Sequence, residues 1–86
     1  METNEEEGMS KDAHNHWRKK AEELLLNKKI VAIEWMNTDE IDEMGWHSRP
    51  VCLKLDDGTW IFPMADDEGN DGGALAVGPK EVLPVF

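Results

Sequence analysis

The sequence predicts a mainly β protein with an N-terminal α-helix. In this α+β domain, five short antiparallel strands make a small, partly open SH3-like barrel. Three observations carry this expectation. Residues 12–26 have apolar positions at helical spacing. After residue 29, short runs alternate apolar and polar at a period of two. Turn signals, Asp57-Gly58 and Gly78-Pro79 among them, separate those runs. A single antiparallel sheet with the helix packed across it is the alternative.

The helix expected over 12–26, "DAHNHWRKKAEELLL", has Asp12 as a plausible N-cap. Trp17, Ala21, Leu24 and Leu25 form one apolar stripe expected to dock on the body. Asn27 can take the left-handed conformation that closes a helix. In "KKIVAIEWM", Val31, Ile33 and Trp35 alternate with Ala32 and Glu34, which predicts a strand. Asn37 and Glu40 then have capping-box spacing, and Gly45 suits the position after a helix, so Thr38 to Met44 reads as one or two turns.

The hairpin signal lies in "RPVCLKLDDGTWIFPM". Val51, Leu53 and Leu55 lead to Asp57-Gly58, whose positive φ angles would suit a tight turn. Trp60, Phe62 and Met64 alternate on the return. Pro63 cannot donate to a ladder, so that strand ends at an edge or a bend. "ALAV" reads as a strand, "KEV" as one 3₁₀ turn and "LPVF" as a closing strand.

The 86 residues fit one domain. Residues 1–9 are expected to be a disordered acidic tail and residues 10–86 a single small domain with its β-rich body at 29–86. A chain this short buries only about 60% of its unfolded surface, so a site must be a groove, a loop or a sheet edge. The net charge is −10, unevenly spread. Residues 10–29 carry six bases against three acids, whereas residues 30–86 carry twelve acids against three bases. Binding to a phosphate backbone needs a concentrated basic face, so nucleic acid is not an expected partner. No apolar run approaches the roughly 20 residues of a membrane span. The acidic start lacks a signal peptide's pattern, and the one cysteine, Cys52, fits a reducing cytoplasm.

Catalytic signals are weak. His47 and Ser48 are neighbours, which point to opposite sides of an extended chain. His14 and His16 lie about 200° apart around a helix and share no metal there. No phosphate-loop pattern is present. No catalytic residue, metal ligand or cofactor is assigned.

Two segments are candidate binding surfaces. "ADDEGNDGGAL" holds Asp66, Asp67, Glu68, Asn70 and Asp71. It fails the EF-hand pattern: with Gly72 at position 6, Gly69 falls at position 3 and Gly78 at position 12. Repulsion among its carboxylates costs roughly 0.7 kcal/mol per pair at about 6 Å, too little to require a cation. A purely structural turn, an interaction loop and an irregular cation cage over 66–73 are the three readings. "GWHSRP" supplies Trp46 and Arg49, types enriched in binding hot spots. Capping the barrel and pairing with acids are their structural alternatives.

"GW-x-x-RP", "DDGT-x-x-x-P" and "DDEGN-x-x-G-AL" together resemble the markers of a family of small bacterial proteins of unknown function. They fall here at Gly45 to Pro50, Asp56 to Thr59 with Pro63, and Asp66 to Leu75. The resemblance covers roughly residues 29–86. It implies that the loop belongs to the domain's basic design and implies no chemistry.

The sequence thus points to a non-catalytic protein-interaction module. Its expected partner is a protein, a basic one included, met through Trp46, Arg49, Asp66, Asp67, Glu68, Asn70 and Asp71. Unpaired strand edges also allow a homodimer. Divalent cation binding by the loop and a small carboxylate-site enzyme are the alternatives.

Overall fold

The computed structural model describes residues 11–86, and the expected acidic tail lies outside the described residues. Within them the fold is α+β, with two helices and five antiparallel strands in two small sheets. Helix α1 spans Lys11–Leu25, β1 Ile30–Trp35, α2 Thr38–Met44 and β2 Val51–Leu55. Strands β3 Trp60–Ile61, β4 Leu75–Val77 and β5 Glu81–Leu83 complete the chain.

The strands are antiparallel as expected, yet they form no closed barrel among the described residues. One sheet has the order β1-β2-β3, and β4 pairs only with β5. The reason lies in β3, which stops after two residues. Pro63 lacks the N–H that would continue the ladder. Beyond it, Met64 makes only an isolated bridge to Gly72. The chain therefore folds back on its own loop before β4 begins.

Several local signals hold and two do not. Asn27 adopts φ 64° and ends α1. Helix α2 has the full capping box: the Glu40 N–H donates to Asn37 Oδ1, and the Asn37 N–H donates to Glu40 Oε1. Gly45 closes it at φ 74°. The β2–β3 hairpin forms with a different turn from the one expected, since Gly58 has positive φ and Asp57 does not. Leu55 and Thr59 pair across a three-residue loop, in which a type I turn is followed by a left-handed glycine. The last strand is also displaced, to Glu81–Leu83, because Pro84 interrupts the run expected to form it. Phe86 still closes the chain by exchanging backbone hydrogen bonds with Arg49.

The largest departure is α1. Asp12 lies in its first turn rather than at its cap, and no residue of the helix is buried. Trp17 remains 60% exposed and Leu24 54%. The helix end is held beside the hairpin turn instead: Lys28 Nζ donates to Leu24 O and, at 2.7 Å, to Asp57 Oδ2.

The body closes its core without α1. Met36, Ile41, Trp46 and Cys52 form one buried cluster, with Phe62 packed against it. Trp46 and Phe62 meet edge to face at 5.9 Å. On the other face of the sheet, Val51 and Leu55 are buried. Fully burying such an aliphatic side chain contributes about 1.5–3 kcal/mol. Pro84 O accepts the Trp35 indole N–H, and Phe86 meets that ring edge to face at 5.4 Å, so residues 84–86 cover this end.

With so few large buried groups, the loss of one is severe. Trp46→Ala is expected to cost about 3–5 kcal/mol, measured as the shift in the urea unfolding midpoint. A midpoint within experimental error of wild type would contradict the placement of Trp46.

Candidate functional site

Of the residues singled out from the sequence, the structure joins Trp46 and Asp71 to the contact between segment 45–50 and the loop, and only Trp46 is buried. Trp46 is only 5% exposed, and its indole N–H donates to Gly69 O at 2.7 Å. A buried indole donor needs such an acceptor. Asp71 Oδ1 accepts three backbone N–H groups, from His47, Ser48 and Gly72. Segment 45–50 and the acidic loop are thus bolted to each other. Arg49 takes a different direction. Its Nε donates to Met36 O at 2.7 Å, and its backbone pairs with Phe86.

Of the loop's other acids, Asp66 also serves its own backbone. Asp66 Oδ1 accepts from Glu68 N and Asn70 N, and its Oδ2 takes the Asn70 side-chain amide. Glu68 Oε1 receives that amide at 3.3 Å. Asp67 and Glu68 remain exposed. Among the described residues, no three His, Cys, Asp or Glu side chains converge in a metal-binding arrangement.

These bonds leave an electrostatic trace. The carboxyl of Asp71 is lowered from its usual 3.8, first by the Ser48 N–H, with the Gly72 and His47 donors adding to it. Asp66 is lowered by Asn70, through its side chain and then its N–H. Asp57 falls to about 2, chiefly through its hydrogen bond from Lys28 and then the Thr59 N–H.

Close approach explains one glycine of the loop. A Cβ on Gly72 would lie 2.6 Å from Pro50 Cδ and 2.8 Å from Ser48 O. Only hydrogen fits where the loop crosses this segment.

A second feature, which sequence reasoning missed, is a concave groove of about 410 Å³ bounded by β1, α2 and β3. Met36, Met44, Cys52, Trp60 and Phe62 make it apolar. Glu34 from β1 and Glu40 and Glu43 from α2 make it acidic, and the Lys54 ammonium lies at its edge, 5.8 Å from the centre of the Trp60 ring. Trp60 is 43% exposed and Met44 47%, so the apolar surface is open to solvent. The Cys52 thiol is pushed up from its usual value, first by burial and then by the charges of Glu40 and Glu34. It is therefore held protonated and a poor nucleophile. The sequence did carry one signal, the run of acids in "TDEIDEM" opposite a single core residue, Ile41. Which aromatic side chains those acids meet is set by tertiary packing.

No family model, curated protein or solved structure matches this chain. The groove and the loop joint must therefore be interpreted from their own geometry.

Two outcomes follow from the joint. Gly72→Ala is expected to destabilise the protein by about 1–3 kcal/mol through overpacking, readable by urea titration. Asp71→Asn tests the charge. The folded pKa of Asp71 is depressed, so its contribution is present above the unfolded value and lost as pH falls through the folded one. The gap in Tm between wild type and Asp71→Asn should thus be widest near neutrality and close as pH drops below 3.8. A gap that does not change with pH would refute the charge-assisted joint.

Proposed function

We propose that this chain is a non-catalytic protein-interaction module. Its groove takes a basic, amphipathic segment of a partner protein. One observation carries the reading: exposed Trp60 and Met44 stand beside Glu34, Glu40 and Glu43 in one acid-rich concavity, with Lys54 alone at its edge over the Trp60 ring. An apolar floor with acidic borders suits a helix whose apolar face is flanked by Lys or Arg. The aromatic ring supplies desolvated contact area, and the carboxylates supply orientation and association rate.

The chemistry favours binding over turnover. Glu40 Oε1 and Asn37 Oδ1 are committed to the cap of α2. The remaining polar group of the floor is a thiol that burial keeps protonated. On this reading Trp46 and the 66–71 loop support the site rather than touch the partner. They hold Phe62 in place through the Trp46 ring. Asp67 and Glu68 add to the negative field that attracts a basic segment. The cytoplasm is the proposed compartment, since its reducing poise keeps Cys52 a free thiol.

The test is fluorescence anisotropy with a fluorescein-labelled helical peptide of alternating Leu and Lys turns with one Trp. Binding is expected to weaken about tenfold in each of Trp60→Ala and Glu34→Lys/Glu43→Lys, equivalent to about 1.4 kcal/mol. It should weaken further as salt is raised. Equal affinity for wild type and both variants would rule the groove out.

A further inference from the structure

The same chain carries a segment of the type this groove suits. Helix α1 has no buried residue, and Trp17, Leu24 and Leu25 stand exposed in one stripe with Ala21. Leu26, just beyond the helix, is 58% exposed. An isolated helix of this length is marginal in water, so its apolar face calls for a cover. At 100° per residue, Arg18 and Lys20 fall roughly 70–90° to either side of the stripe's centre, while Glu22 and Glu23 lie further round. The helix is therefore apolar in the middle, with Lys20 on one border of the stripe and Arg18, in an exposed ion pair with Glu22 at 3.7 Å, on the other.

We infer that the chain forms a symmetric homodimer in which α1 of each copy docks in the acid-lined groove of the other. This rests on the groove reading above and names its partner. Charge complementarity selects the groove: Arg18 and Lys20 meet Glu34 and Glu43, whose side chains have no hydrogen-bond partner among those described. Pairing α1 with a second α1 would instead set basic borders against each other. The chain's own groove is a poorer target. Only Leu26 to Lys29 separate α1 from β1, and Lys28 pins that connection to Asp57 at the hairpin turn.

Exchange between copies covers the exposed Trp17, Leu24 and Leu25 of each helix and the groove of the other in one contact. Reciprocal exchange makes the same contact twice about a two-fold axis. It leaves no helix or groove free, so the assembly closes as a dimer and does not propagate.

Sedimentation equilibrium of the full chain, from micromolar to near-millimolar concentration, tests this. The expected mass is twice the 9.8 kDa of one chain. Trp17→Glu should be monomeric over the same range, and Glu34→Lys/Glu43→Lys should dissociate at least tenfold more readily. All three altered side chains are exposed, so circular dichroism should show both variants folded. Mixing the two variants is the decisive step. The first retains its groove and the second its helix, so they should form a heterodimer through one contact. A wild-type chain that stays monomeric overturns the dimer. If that monomer still binds the labelled Leu/Lys/Trp peptide, the groove reading stands alone; if it does not, both fall. A dimer abolished by Trp17→Glu but indifferent to Glu34→Lys/Glu43→Lys also overturns the inference, because α1 then docks elsewhere.

Discussion

The fold depends on one buried donor, the indole N–H of Trp46. An unpaired polar group at this depth costs about 1–3 kcal/mol, so the ring can enter the core only with an acceptor beside it. Gly69 O provides that acceptor from the acidic loop. Loop and core are consequently one unit. The Trp46 ring presses on Phe62, and Trp46 N bonds to Ile41 O at the end of α2. The position of α2 over the sheet, and with it the groove, follows from this contact.

The carboxylates divide by what they bond. Asp57, Asp66 and Asp71 accept N–H groups from lysine, asparagine or the backbone, and each is held below the ordinary carboxylate range for that reason. They are part of the architecture. Glu34 and Glu43 lie exposed beside apolar surface. Asp66 and Asp71 of the acidic run thus bond the fold, whereas the groove draws its acids from scattered glutamates.

Legibility followed distance along the chain. The α2 capping box, the Asn27 and Gly45 helix ends and the 51–61 hairpin are local devices, and all were readable. So was the proximity of segment 45–50 to the acidic loop, although it was expected as an exposed patch. The sequence cannot distinguish Trp46 as a hot spot from Trp46 as a core ring, because both uses need a large aromatic near polar partners. The barrel was misjudged because strand count does not fix pairing. A two-residue β3 and Pro63 left β4 and β5 to pair with each other.

The sequence by itself determined the two helices, the β1 strand, the β2–β3 hairpin and the separation of a basic helix from an acidic body. These depend on φ preferences, side-chain caps and charge, which act over a few residues. Tertiary structure alone decided which face of each element is covered. It buried Trp46 and Val51, left the α1 stripe in solvent and gathered Glu34, Glu43 and Trp60 around one groove. Apolar periodicity states that a face seeks cover. It carries no information on whether that cover comes from the same chain, because burial rewards area removed from water and is indifferent to its source.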